Sequence, residues 1–171
     1  MLRFDEALKS VKTLDKDLLE QARARHNQLT KPLGSLGALE EVGIRLAAIY
    51  GIVKPKVTGR GVVIFAADHG VTQAGVSAYP KAVTEQMVLN FLRGGAAINA
   101  LSQTHNVEML IVDVGVDADF PEHPKLLKRK IARGTKNMLE APAMTHEELN
   151  QALGVGIEAA NFMIDKGVNL I

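Results

Sequence analysis

One short apolar run, VVIFAA at residues 62–67, restricts more than any other feature how this chain can fold. It is uninterrupted and rich in β-branched residues, which is typical of a strand buried on both faces of a parallel sheet. The run stops abruptly at Asp68, His69 and Gly70. A buried strand that ends in ionisable residues predicts a polar sheet edge that faces a cleft.

A second buried strand is predicted for VEMLIVDVG, residues 107–115. Between the two strands a helix is expected to start near Pro80, since proline suits the first helical turn. Gly94 and Gly95 interrupt this helix before a second short piece that ends near Leu101. Strand, helix and strand in this order predict a parallel sheet with right-handed crossovers.

The chain after the second strand is predicted to be irregular, and its basic segment, residues 125–130, is interpreted as a solvated face. Thr145 and Glu148 form a capping box for a helix that ends at about Lys166. The last four residues, VNLI at 168–171, are expected to begin a third strand. A sheet that ended in so short an edge strand would leave apolar and backbone groups unshielded, so the prediction favours the first part of a longer domain.

The first residues predict helices instead of strands. Residues 1–55 are expected to form an N-terminal helical segment, with Thr13 as one N-cap and a second helix at about 35–50. Between them LTKPLGSLG, residues 29–37, contains the proline and glycines that break a helix. The expected fold class is therefore α/β: a parallel Rossmann-like sheet with helices on both faces over residues 56–171, forming an incomplete domain.

Composition excludes several classes of function. The 171 residues include 20 basic and 19 acidic side chains, and this balance indicates no nucleic-acid or membrane-surface partner. Because there is no cysteine, disulfides, thiolate zinc sites and a cysteine nucleophile are ruled out. No signal peptide and no apolar run of the roughly 20 residues that a membrane helix needs can be recognised, so a soluble cytoplasmic protein is expected.

Candidate site residues lie where the strands end. Ligands bind beyond the carboxyl ends of parallel strands, so Asp68 and His69 are expected to meet the acidic residues Asp113, Asp117 and Asp119 at one edge of the sheet. A structural role stays open, because Asp68 could cap the following turn and His69 could simply be held by a hydrogen bond.

The loop and helix after the first strand form the second half of the candidate site. Ser77, Tyr79, Gln86 and Met87 combine hydrogen-bonding and apolar surface, which suits a flat and weakly polar ligand. The alternative, that Tyr79 and Met87 pack the core, also stays open.

Three other chemistries find little support in the sequence. A serine hydrolase would use Ser77, but no G-x-S-x-G elbow surrounds it, and there is no P-loop. A metal-dependent phosphohydrolase would use Asp68 and His69. The spacing of the available ligands matches no compact metal motif; these are Asp68, His69, Asp113, Asp117 and His123.

Six segments, in order and with compatible spacing, resemble the nicotinate-nucleotide–dimethylbenzimidazole phosphoribosyltransferases. They are LTKPLGSLGALE (29–40), AADHGVTQAGVSAYPKAVTEQM (66–87), GGAAIN (94–99), VDVGVDAD (112–119), RGTKNM (133–138) and PAMT (142–145). The resemblance implies transfer of phosphoribose from nicotinate mononucleotide to 5,6-dimethylbenzimidazole or a related base, with nicotinate and α-ribazole 5′-phosphate as products. It also implies a homodimer, with no metal or organic cofactor.

The resemblance further implies that the loop and helix at residues 75–90 line the pocket for the aromatic base. Tyr79 and Met87 stand where some members have serine and glutamine, so the base preferred here is expected to differ or to be less polar. Family members continue beyond the segment that matches VNLI, into a glycine-rich loop and a glutamate that acts as general base. No catalytic residue is therefore assigned in this chain, and alone it is expected to be inactive; the alternative is a module that holds a benzimidazole or nucleotide without reacting it.

Overall fold

A computed structural model describes residues 4–171 of the chain. The described residues divide into two compact units, one over Leu8–Val57 and one over Thr58–Ile171 together with the first described residues. A first helix, α1, covers Phe4–Ser10.

The unit at Leu8–Val57 is built around two helices, α2 at Lys16–Asn27 and α3 at Ala38–Tyr50. Their core contains Ala22, Ile44 and Ala47. The prediction of Thr13 as an N-cap is wrong. The cap is Asp15, whose carboxylate accepts hydrogen bonds from the first free backbone N–H groups of α2, and such a carboxylate also suits the positive end of the helix dipole.

The loop between α2 and α3 is held by Glu40. Its carboxylate accepts a hydrogen bond from Lys31 at 2.7 Å and another from the backbone N–H of Leu36 at 3.1 Å. These bonds, from Lys31 above all, hold the pKa of Glu40 below its ordinary value. The helix α3 begins at Ala38 instead of about residue 35, because the residues before it form turns that end at Gly37 with a positive φ of 55°.

The unit at Thr58–Ile171 contains a three-stranded parallel sheet in the order β1–β2–β3. The strand β1 covers Arg60–Ala67, β2 covers Val107–Gly115 and β3 covers Leu126–Lys128. The register of β1 on β2 is regular and shifts only at the carboxyl end, where Ala67 pairs with Gly115. The two long strands agree with the apolar runs that predict them.

The third strand of the sheet is not the one predicted. The segment VNLI contributes a single parallel bridge from Leu170 to Arg60, whereas β3 lies inside the stretch that was expected to be irregular. The interpretation of residues 125–130 as a solvated face is also wrong. Leu126 is buried, and the ammonium of Lys130 is turned inward, where it contacts Asp113 at 2.7 Å.

Helices cover both faces of the sheet, as predicted. On one face α4 (Ala82–Arg93) and α5 (Ala97–Thr104) pack over a core that contains Val88, Met109 and Ile111. On the other face α6 (His146–Asp165) packs over a core that contains Leu110 and Met163. The α6 capping box is present as predicted, with Thr145 and Glu148 each bonding the other's backbone N–H. None of the described helices is long and apolar enough to span a bilayer.

Candidate functional site

The backbone at the carboxyl end of β1 is held by hydrogen bonds to two segments of the chain. The N–H of Asp68 donates to the carbonyl of Gly115 at 3.0 Å, which continues the pairing with β2. Thr135 donates its N–H to the carbonyl of Asp68, and Gly70 donates to that of Thr135, both at 3.0 Å. A Cβ at Gly70 would lie 2.5 Å from the backbone nitrogen of Asn137, so only glycine fits there. The segment at Thr135 therefore buttresses the end of β1.

Asp68 uses its side chain within the protein. Only 6% of the residue is exposed, and Oδ2 accepts the backbone N–H of Asp117 at 2.8 Å. Asp68 thus has a structural role, but it holds the loop that follows β2 instead of capping the turn after its own strand. Its neighbour His69 places Nδ1 3.3 Å from Oγ1 of Thr135.

The carboxylate of Asp113 does not join the polar edge. Asp113 is only 1% exposed; Oδ1 accepts the N–H of Val116 at 2.9 Å, and Oδ2 is paired with Lys130. Lys130 also donates to the carbonyls of Val116 and Ala118. The expectation that Asp113 shares a cleft with Asp68 and His69 is therefore wrong, because its charge is satisfied inside the fold.

A cavity of about 340 Å³, here called the Tyr79 cavity, opens between the end of β1 and α4. Five of the six predicted site residues line it: Asp68, His69, Ser77, Tyr79 and Met87. Gln86 does not, because it lies on the exposed side of α4. Phe65, Val83 and Phe91 also line the cavity and were missed. Phe91 could have been found from its place one helical turn beyond Met87, on the same face.

The loop before α4 presents Tyr79 to this cavity through a local turn. The hydroxyl of Ser77 donates to the carbonyl of Tyr79 at 3.1 Å and accepts the N–H of the same residue at 3.2 Å. Tyr79 itself is 71% exposed, so its ring is available to a ligand instead of packing the core. Ser77 is therefore a turn residue as well as a lining residue.

A second cavity of about 400 Å³, here called the Met144 cavity, lies on the α6 face of the sheet. Its walls are mainly apolar, with Phe65, Ile131 and Met144 among them, and Lys136 and His69 supply polar atoms. Phe65 and His69 line both cavities. The end of β1 therefore separates two hollows, one over each face of the sheet.

Alternating charges lie beside the Tyr79 cavity. Lys81 Nζ is 2.6 Å from Oδ2 of Asp117, and the guanidinium of Arg133 contacts Oδ1 of Asp117 at 3.5 Å and Asp119 at 2.5 Å. The hydrogen bond from Lys81 is the main cause that lowers the pKa of Asp117, and Arg133 lowers the pKa of Asp119. Both carboxylates are thereby paired with cations of the protein.

No metal-binding group of three or more His, Asp or Glu side chains occurs within residues 4–171. Of the ligands considered from the sequence, Asp68, Asp113 and Asp117 accept hydrogen bonds from the protein, and His123 accepts the N–H of Lys125 at 3.1 Å. The arrangement suits an organic ligand with an aromatic ring: apolar walls, with polar atoms at the sheet edge.

Comparison with known proteins gives this arrangement a family. A family model described as phosphoribosyltransferase matches residues 11–171. The chain belongs to this family. A nicotinate-nucleotide–dimethylbenzimidazole phosphoribosyltransferase of Chloroflexus aurantiacus is 52% identical over 158 residues, and one of Geobacter sulfurreducens is 50% identical over 171.

A crystal structure of the nicotinate-nucleotide–dimethylbenzimidazole phosphoribosyltransferase of Thermus thermophilus superposes on this chain with a TM-score of 0.84 at 54% sequence identity. It covers 91% of this chain, and the chain covers 47% of it. The Chloroflexus and Geobacter matches cover 92% and 100% of this chain but 45% and 49% of those proteins. The chain thus spans about half the length of the curated relatives that it matches.

Proposed function

We propose that this protein transfers phosphoribose from nicotinate mononucleotide to 5,6-dimethylbenzimidazole or a related base, in the synthesis of the lower ligand of cobalamin. One ring nitrogen of the base attacks the anomeric carbon of the ribose. The bond from that carbon to the nicotinate nitrogen breaks, and its electron pair leaves with nicotinate. The proton on the other ring nitrogen of the base passes to a general base. The products are nicotinate and α-ribazole 5′-phosphate.

The observation that supports this proposal most strongly is the Tyr79 cavity at the carboxyl edge of a parallel sheet, in a chain of the phosphoribosyltransferase family. Its volume of about 340 Å³ lies within the range of small-molecule sites. Phe65, Tyr79 and Met87 offer aromatic and thioether surface to a flat ring, and such surfaces favour stacked or edge contacts. The base is therefore assigned to this cavity.

The remaining site residues receive supporting roles in the proposal. His69, which lines both cavities, is placed to contact a substrate at the end of β1. Asp68 acts through the fold, because its carboxylate holds the N–H of Asp117. Glycosyl transfer requires that the attacking nitrogen and the anomeric carbon be held opposite each other, and residues fixed at a strand end suit that task.

The general base is assigned outside these 171 residues, on the resemblance described above. Residues 1–171 alone are accordingly expected to show no turnover with the two substrates, whereas the complete gene product turns over. Chromatographic detection of α-ribazole 5′-phosphate distinguishes the two. Robust turnover by residues 1–171 alone would overturn the assignment of the base.

Substitutions in the Tyr79 cavity test the site. Met87→Ala in the complete gene product is expected to raise the KM for dimethylbenzimidazole about tenfold, since the apolar surface that the thioether offers to the ring is lost. The KM for nicotinate mononucleotide should stay within about twofold. Glu85→Gln is the matched control, because Glu85 lies on the same helix, is exposed and does not line the cavity. Equal effects of the two variants, or no transferase activity in the unmodified protein, would contradict the proposal.

We also infer a homodimer for the complete gene product, which the family resemblance implies. Sedimentation equilibrium should give twice the mass of one chain. A concentration-independent monomer would contradict this inference and would leave the proposed reaction standing.

A further inference from the structure

The loop at residues 76–81, which presents Tyr79, is joined to the sheet by a single polar contact. Within this loop Ser77 bonds only to Tyr79, and the backbone bonds of Pro80 and Lys81 run onward into α4. Among residues 4–171, the ion pair from Lys81 to Asp117 is the one hydrogen bond or salt bridge that connects the loop to the strand ends. The placement of Tyr79 therefore depends on that contact.

Asp117 is suited to hold the loop because it is itself fixed from two sides. Its backbone N–H donates to the buried carboxylate of Asp68, and its own carboxylate is shared between Lys81 and Arg133. Arg133 in turn is paired with Asp119. A carboxylate that is anchored by its backbone and contacted by two cations has little freedom to follow a moving loop.

A third hollow, of about 320 Å³, lies between the two cations that contact Asp117. Tyr79 and Lys81 line one part of it, and Arg133 and Thr135 line another. It shares six lining residues with the Tyr79 cavity: Asp68, His69, Thr72, Tyr79, Pro80 and Lys81. The contacts of Asp117 therefore fix how far the Tyr79 loop stands from the segment that supports His69.

We propose that Asp117 is a positioning residue for the aromatic base: its carboxylate clamps Lys81 and so holds the Tyr79 loop at the sheet edge. This inference rests on the proposed function, in which Tyr79 lines the base pocket. The side chains of Lys81 and Asp117 are 48% and 37% exposed, and pairs so exposed contribute little to global stability. Loss of the clamp is therefore expected to alter the loop and the base pocket while the melting temperature changes little.

The test compares Asp117→Asn with Asp119→Asn in the complete gene product. Asp119 is the matched control, since it contacts Arg133 but not Lys81, and its side chain is 77% exposed. Asp117→Asn should raise the KM for dimethylbenzimidazole about fivefold, near the upper end of what an exposed ion pair contributes, with the KM for nicotinate mononucleotide within about twofold. Asp119→Asn should change neither by more than about twofold. Equal changes in both KM values would indicate general distortion and would overturn the proposal, as would no change in either.

A second pair of variants approaches the same contact from the loop. Lys81→Met should reproduce the base-specific rise in KM, and Lys81→Arg, which keeps a cation, should restore most of the affinity. Because Lys81 also lines the Tyr79 cavity, a base-specific rise in KM for Lys81→Met supports the clamp only if the amides at residues 76–81 exchange faster as well. If Asp117→Asn fails to fold, this combination still tests the clamp. Failure of Lys81→Met to affect the base would contradict the clamp.

Hydrogen exchange separates failure of the clamp from failure of the proposed reaction. Asp117→Asn should accelerate exchange of the amides at residues 76–81 about fivefold, and Asp119→Asn should leave them within about twofold. This measurement needs no substrate. Absence of transferase activity with accelerated exchange would overturn the proposed function alone, whereas unchanged exchange would overturn the clamp.

Discussion

Asp68 and Asp113 both follow apolar runs at the ends of neighbouring strands, yet their surroundings differ. Asp68 borders the Tyr79 cavity and accepts one backbone N–H, whereas Asp113 is enclosed and paired with the ammonium of Lys130. The first supports a loop beside an open hollow. The second completes a closed ion pair within the fold.

The positions of the two strands explain this difference. The strand β2 is central, with a strand on each side and cores on both of its faces, so an aspartate there must find its partner within the protein. The strand β1 lies at the edge of the sheet, and among the described residues only the single bridge from Arg60 to Leu170 pairs with its outer side. The carboxyl end of β1 separates two cavities. Location in the sheet, more than the local sequence, thus decides whether a terminal aspartate can serve a site.

Removal of the Asp113 carboxylate should have the largest effect on stability. Asp113→Ala leaves the half-buried ammonium of Lys130 without its charge partner and the N–H of Val116 without its acceptor, and breaking a buried pair typically lowers the free energy of unfolding by about 3 kcal/mol. Denaturant unfolding followed by circular dichroism measures the change. The double variant Asp113→Leu with Lys130→Met should recover much of the loss, because no charge is then left unpaired. A double variant no more stable than Asp113→Ala would show that the ion pair is not the cause.

Removal of the Asp68 carboxylate should have a smaller effect. Asp68→Ala leaves only the backbone N–H of Asp117 without its acceptor, for which a loss of about 1 kcal/mol is expected. Asp68→Asn keeps a carbonyl acceptor and should stay within about 0.5 kcal/mol of the parent protein. The same unfolding measurement applies. Should Asp68→Ala prove as destabilising as Asp113→Ala, the distinction between the two strand ends would be wrong.

Much of the fold could be predicted because long elements leave strong patterns. The runs at 62–67 and 107–115 and the capping box at Thr145 all depend on local sequence, and the structure contains each of them. The strand β3 has only three residues, too few for an alternation of apolar and polar side chains to be recognised. Lys130 looked solvated because its partner, Asp113, is distant in sequence and only the fold brings them together.

The residues of the candidate site could likewise be predicted only where their signals are local in the sequence. His69 and Tyr79 could be placed because strand ends and helix starts are local signals, and parallel pairing brings them to one edge. Phe65 was missed because a residue inside an apolar run gives no sign that it lies at an open end of the sheet. Gln86 was included for its polarity, but it lies on a side of α4 that does not face the cavity.

The smallest expected effect concerns the pH dependence of the Tyr79 loop. Lys81, through its hydrogen bond and its charge, holds the pKa of Asp117 below the ordinary value of about 4. A carboxyl whose folded pKa is lowered contributes stability that is present above the ordinary pKa and is lost as the pH falls through the folded pKa. Protection of the amides at residues 76–81, corrected for intrinsic exchange, should therefore be constant above about pH 5 and fall a few-fold below about pH 4. In Asp117→Asn the corrected protection should be low and independent of pH over this range, with the amides of β2 as the internal reference. If the variant kept the pH dependence of the parent protein, a group other than Asp117 would control the open end of β1.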